Sequence, residues 1–442
     1  MKKHFYHVVF VLCLTFVLAL PLHAAAAEFN YTADVEKVVL DNGLTILLKE
    51  NPAYDIIAMS VLTKGGSVRD PEGLEGLTFL TVRNLFSGTT NRTGEDIVVE
   101  LESLGVQLQA TASYDYSAVL LQAVPAAFEE ALAVLLDMIE NSTFPVEEFE
   151  RERSLGFAAL QSLYDDPSNA LILEFLSFFY GEHPYRYSPY GSPEGLMAIQ
   201  PDHAASWNRY LFQPDQVVVS LVGSFDKEEL LAVLRESFGR WENSFTGTPE
   251  PRSEAEFIYP AEDRQMVFNL PTEAAFLIIG YPAPNTFAAD AAAMAVINTV
   301  LGEGMSSRLF TEIRDKRGLA YTAVSIYDER MGPSSLLTFL ATHPQNVEQA
   351  REQVLVEVRR FAEEGLSQEE IAWVAAQKRG SYLLNNETNL TQSVLLGVTE
   401  LIGFGYGWVD QYMDFWDNVT PEDVKAAAQK YFQNYTEVLI TP

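Results

Sequence analysis

Six histidines and one cysteine are the side chains of this chain best suited to gripping a metal or acting as a nucleophile. His4, His7, Cys13 and His23 all stand in the first 27 residues. That leaves His183, His203 and His343, and no two of them are at helical ligand spacing. A zinc site needs three or four N, S or O donors in one place, and two histidines share a helix face only when three or four residues apart. Each of the three therefore reads as a surface or capping histidine. No G-x-S-x-G elbow supports serine chemistry, and beyond residue 27 there is no thiol. By residue type alone, catalysis by this chain acting by itself lacks its usual groups.

The elements that would position a site follow a repeating plan. Val38-Val39-Leu40 and Leu44-Thr45-Ile46-Leu47-Leu48 flank Asp41-Asn42-Gly43, a hairpin signal. A strand is predicted over 56–63, helices over 77–86 and 95–104, strands over 106–111 and 117–124, and helix starts at Pro125 and Pro145. After residue 260 the order recurs: strands at 267–270 and 276–281, helices at 288–301 and 306–316, strands at 320–327 and 335–341, then helices at 347–362 and 368–384. Letters repeat as well, since Phe144-Pro145-Val146-Glu147-Glu148-Phe149 resembles Leu366-Ser367-Gln368-Glu369-Glu370-Ile371. An internal duplication is expected, with one half over 28–245, a linker over 246–260 beginning in the Thr-, Pro- and Gly-rich stretch after Asn243, and a second half over 261–442. Strand runs followed by helix runs predict an α+β fold, each half a largely antiparallel sheet with helices packed on one face.

Compartment and partners follow from the ends of the composition. Lys2 and Lys3, the apolar run from Val8 to Leu20 and the small residues Ala24–Ala27 read as a secretory signal peptide over residues 1–27. A membrane anchor is the alternative, but the uninterrupted apolar run is short against the roughly 20 residues a span requires. An exported, periplasmic or extracellular protein with no stable membrane anchor is expected. Without Lys2 and Lys3 the chain carries 27 basic and 61 acidic residues, a net charge of −34. Nucleic acid is excluded as a partner, because phosphate binding needs clustered Lys and Arg.

A duplicated α+β chain of this length opening on Val39-Leu40-Asp41-Asn42-Gly43-Leu44 resembles the pitrilysin/insulinase peptidases, inverzincins whose metal motif is H-x-x-E-H. The family's motif segment reads roughly G-L-A-H-F-L-E-H-M-L-F-x-G-T. Here the stretch Gly76-Leu77-Thr78-Phe79-Leu80-Thr81-Val82-Arg83-Asn84-Leu85-Phe86-Ser87-Gly88-Thr89 stands in that frame without a gap. The resemblance implies zinc ligands at 79 and 83, a general base at 82 and a third ligand near Ala158-Ala159. These places hold Phe79, Val82, Arg83 and alanine. No metal is expected in this chain, and Arg83, a cation where zinc would sit, is expected to pair with a nearby acid.

The second half keeps more of the family pattern. Met305-Ser306-Ser307-Arg308-Leu309-Phe310-Thr311-Glu312-Ile313-Arg314-Asp315-Lys316-Arg317-Gly318-Leu319-Ala320-Tyr321 is similar to the family's stretch in which an arginine is followed seven residues later by a tyrosine. The resemblance implies that Arg314 and Tyr321 act on substrate, the guanidinium holding carbonyls or carboxylates and the phenol donating to an oxyanion. It also implies a division of labour, in which a homologous subunit carrying H-x-x-E-H supplies zinc and base for a peptide substrate. A catalytically dead protein that holds extended peptides on an edge strand is the alternative.

Overall fold

The computed structural model describes residues 30–442 apart from 254–256. The expected signal segment, residues 1–27, lies outside the described residues. The Asn42-Gly43 turn works as its chemistry requires. Gly43 takes φ +91°, a conformation that costs other residues Cβ strain. The Leu40 N–H then donates to Leu44 O at 2.9 Å, joining β1 (Glu36–Val39) to β2 (Thr45–Glu50). Asn42 Nδ2 also donates to Phe238 O and Trp241 O, fastening the hairpin to the end of the first half.

Six strands form the first sheet. β3 (Ile57–Lys64), β4 (Gln107–Ala112), β5 (Tyr116–Ala123) and β6 (Val217–Gly223) join the hairpin in the order β1-β2-β6-β3-β5-β4. Only β2 and β6 run parallel. The second sheet comprises β7 (Arg264–Asn269), β8 (Ala275–Ala283), β9 (Ala320–Asp328), β10 (Ser334–Thr342) and β11 (Thr436–Thr441), ordered β7-β11-β8-β10-β9, with β7 and β11 parallel. Laid side by side, β2-β6-β3-β5-β4 and β7-β11-β8-β10-β9 are one topology, down to the single parallel pair. The duplication legible in the letters is a duplication of strand order, and the chain is α+β as its pattern predicts.

One departure concerns the far faces of the sheets. β3 and β6 are buried on both faces rather than alternating, so something must cover the side away from each half's own helices. That cover is exchanged. The first-half helix Pro167–Tyr180 lays Leu171 and Phe175 on Ile278, Leu337 and Val438 of the second sheet. The second-half helix Asn389–Leu401 lays Leu396 on Leu62 and Val218 of the first. Each contact uses a glycine, on the sheet in the first case and on the helix in the second: a Cβ on Gly280 would stand 2.2 Å from Phe175 Cζ, and one on Gly397 would stand 2.3 Å from Leu62 Cδ1. Ser60 and Ser393 hydroxyls meet at 2.6 Å under the second of these helices.

The halves also meet turn to turn. Arg330, 4% exposed, lies with its guanidinium carbon 3.6 Å above the Tyr114 ring and 4.6 Å from that of Tyr185, and donates to Asp328. Asp115 accepts from the Met331 N–H and from the Tyr185 hydroxyl. The connecting segment is pinned too, since the Arg252 N–H donates to Arg69 O and its guanidinium reaches Glu75 Oε1 at 2.8 Å.

Candidate functional site

The motif-frame helix Leu77–Arg83 begins at Gly76, whose φ of +103° opens the first turn. Asp70 satisfies the freed donors, accepting from the N–H groups of Gly76 (2.8 Å) and Thr78 (2.9 Å) and from Thr78 Oγ1 (2.5 Å). Trp207 Nε1 in turn donates to Thr78 Oγ1 at 2.9 Å. Burial pushes the Asp70 carboxyl up to about 7, against the lowering pull of the Thr78 and Gly76 hydrogen bonds. The folded state therefore holds this proton more tightly than the unfolded chain. Its contribution to stability is full below 3.8 and is lost as pH rises to about 7. Asp70→Asn is expected to flatten that part of the profile, read as the difference between wild-type and variant denaturation midpoints from pH 4 to 7.

Held in this way, the helix presents Phe79, Val82 and Arg83 to the helix Val146–Asp165. Gly156 leaves room for Phe79, whose ring meets Tyr190 edge to face at 4.9 Å. Phe79, Val82, Arg83 and Ala159 line one cavity of about 380 Å³ together with Leu155, Tyr190 and the edge strand at Ala110–Ala112. The four places where the family resemblance puts metal chemistry do converge in space, and Ala159, not the exposed Ala158, is the one facing the cavity. Their chemistry does not fit zinc. Two hydrocarbon side chains and a methyl group offer no lone pair, and a guanidinium has none to give. Among the described residues no three His, Cys, Asp or Glu side chains gather at a common point.

Arg83 is neutralised by Glu152, to whose Oε2 both Nε and Nη2 lie at 3.1 Å. The sequence alone does not say which acid this is, although it carries a signal. Glu152 stands seven residues before Ala159 on one helix, two turns away and on the same face. The carboxylate side chain is 11% exposed and that of Arg83 46%, so the pair closes the cavity wall while one edge of the guanidinium stays in water. The outer edge of β4 runs past this point. It lines both the cavity and a broader groove of about 1460 Å³ along Val98, Val99, Leu108 and Gln109.

Arg314 and Tyr321 sit elsewhere. Arg314 belongs to a π-helix over Phe310–Asp315, an element rare in general and frequent at functional sites. The sequence pattern predicts an ordinary helix there; the wider turn appears where the Lys316 N–H donates to Thr311 O, five residues back. Gly318, at φ +60°, then turns the chain into β9, with its N–H on Arg314 O at 3.1 Å. Arg314 is exposed, with its guanidinium carbon 4.9 Å above the Phe310 ring, and Tyr321 is 62% exposed at the start of an edge strand. Among the described residues neither side chain has a hydrogen-bond or ion-pair partner. Their neighbours differ: Arg308 reaches Glu370 and covers Phe361, and Arg317 binds Glu312. The cavity holding Arg83 is lined by first-half residues alone, so within one chain the two candidate regions do not share a chamber.

Two duplicated α+β halves, one built around a cavity where Phe79, Val82, Arg83 and Ala159 stand in the places of the family's zinc chemistry, define a metallopeptidase-like fold. The family model for insulinase, peptidase family M16, matches residues 45–190, and that for the peptidase M16 inactive domain matches 198–378. The chain belongs to the M16 peptidase family. It is 25% identical over 412 residues, 92% of this chain and 98% of the relative, to an uncharacterised zinc protease of Bacillus subtilis. It is 27% identical over 402 residues, 90% and 89% of the two chains, to another of Mycobacterium leprae. Its fold matches a Helicobacter pylori protease at TM-score 0.82 and 20% identity, over 92% and 99% of the chains. A peptidase M16 inactive domain from Pseudomonas fluorescens matches at 0.83 and 21%, over 92% and 98%.

Proposed function

We propose that this chain is the non-catalytic subunit of a heterodimeric zinc endopeptidase of the M16 type. It lends Arg314, Tyr321 and half of a peptide chamber to a homologous partner carrying H-x-x-E-H. Phe79, Val82, Arg83 and Ala159 in one cavity carry the reading, because the first half there has no means of activating water. The second half meanwhile keeps an arginine and a phenol exposed and, among the described residues, without a hydrogen-bond or ion-pair partner, as groups awaiting a substrate would be. The zinc belongs to the partner, and the subunit works outside the cytoplasm after release of residues 1–27. N-terminal sequencing of the native protein should accordingly begin after Ala26 or Ala27.

Co-expression with a homologue bearing intact H-x-x-E-H tests the reading: peptide hydrolysis should require both chains and co-purify with a mixed dimer. Activity of the partner alone at the level of the mixture would overturn it. The chain by itself should retain no zinc after dialysis and cut no peptide. Phe79→His, Val82→Glu and Arg83→His together should still fail to hold zinc, since the third ligand is lacking. Adding Ala159→Glu places a fourth group in the same cavity and is expected to raise the content towards one zinc per chain, measured by elemental analysis. The second reading, a protein that only holds extended peptides, is favoured by the outer edge of β4 along the groove, which pairs with no strand among the described residues.

A further inference from the structure

A row of aromatic residues near the C-terminal end takes no part in the proposed chamber. Phe404, Trp408, Tyr412 and Trp416 recur at steps of four with Phe415 beside the last, and from Trp408 onward they run along one face of the helix Trp408–Asp417. Phe404 stacks on Trp408 at 4.8 Å, Trp408 meets Tyr412 at 5.2 Å, and Tyr412 meets Trp416 edge to face at 5.4 Å. The inner end is core, with Trp416 only 4% exposed. An aromatic stripe of this kind ordinarily packs away all its space. This one leaves a cleft of about 200 Å³, walled by the five rings and by Glu329.

Glu329 is the feature that packing does not explain. Thr286 Oγ1 donates to its Oε1 at 2.6 Å, yet no Lys, Arg or His forms an ion pair with it among the described residues. Aromatic faces carry the negative lobe of the ring quadrupole, so a carboxylate beside them is repelled by what surrounds it, whereas a cation is drawn by rings and carboxylate together. Lys378 answers the same demand on the neighbouring side. Its Nζ lies 5.8 Å from the Trp416 ring centroid but is bonded to Glu303 at 2.6 Å, so it reaches Glu329 only through space and forms no ion pair with it. A cleft of about 200 Å³ is below the usual range for drug-sized ligands and suits a single small group. The formal net charge of −32 concentrates cations around the molecule.

We infer that this cleft binds an alkylammonium group, held over the Trp408 and Tyr412 rings and paired with the Glu329 carboxylate. Such a group comes either from a free quaternary amine or from a lysine side chain of another polypeptide, and the site is independent of the zinc-partner reading. The test follows the indole N–H resonances of Trp408 and Trp416 in the full chain at constant ionic strength. Tetramethylammonium and N-acetyl-lysine methylamide serve as cationic probes, and 3,3-dimethylbutanol as the uncharged isostere. Saturable shifts with a cationic probe are expected, at least about tenfold tighter than with the alcohol. Stronger binding of tetramethylammonium points to a free amine, and stronger binding of the lysine derivative to a polypeptide. Glu329→Gln should weaken the cation about tenfold, and Glu329→Lys, which supplies its own ammonium from an exposed position, should abolish the shifts with the melting curve unchanged. Equal binding of the alcohol, an unaltered affinity in Glu329→Gln, or no saturation with either cation would overturn the inference.

Discussion

Tyr321→Phe is expected to slow peptide turnover by the reconstituted pair by about 10²–10³ in kcat, with zinc content and assembly unchanged. The phenol is 62% exposed and has no hydrogen-bond acceptor among the described residues, so removing its hydroxyl disturbs no contact described there. Any loss must then arise where the partner's zinc-activated water attacks a carbonyl and an oxyanion needs a donor. Arg314→Ala is expected to raise KM as well, because a guanidinium that holds substrate acts before the transition state as well as in it. Arg317→Ala is the matched control: it lies on the same turn, but its guanidinium is occupied by Glu312. Arg308 serves less well, since its stacking on Phe361 and its bond to Glu370 make it structural. If Tyr321→Phe and Arg314→Ala turned over like Arg317→Ala in a pair that assembles normally, the shared-site proposal would fail and the peptide-holding reading would replace it.

The second large effect is on stability. Phe175→Ala should cost about 3–5 kcal/mol, because a fully buried ring is removed from the point where the first half's helix lies on the second half's sheet. Gly280→Ala should cost about 1–3 kcal/mol by the opposite error, pushing a methyl into the space the ring occupies. The two errors are complementary, so the double variant should be more stable than the sum of the single costs implies. Urea denaturation of all four proteins measures this coupling. Strictly additive costs would mean that ring and glycine do not fit one another as described.

Much of this protein was legible one residue at a time. The hairpin at Asn42-Gly43, the repeated order of strands and helices, and the α+β class follow from turn chemistry and periodicity, which act over a few residues. The chemistry of the motif frame is equally local. A phenylalanine, a valine, an arginine and an alanine lack donors whatever surrounds them, and the frame from Gly76 to Thr89 is enough to place three of them. The same kind of match singles out Arg314 and Tyr321 as candidates.

Tertiary structure alone decided what lies far apart in the chain. Arg83 and Glu152 are 69 residues apart, and no local pattern says which of 61 acids meets that cation. The π-turn under Arg314 differs from an α-helix by one hydrogen-bond step, which apolar spacing does not resolve. Above all, the helices Pro167–Tyr180 and Asn389–Leu401 announce an apolar face without naming the sheet that receives it. Each crosses to the other half because β3 and β8, buried on both faces, need a second cover, and a glycine on the sheet or on the helix leaves room for it. Periodicity records that a surface must leave water; only the assembled chain determines against what.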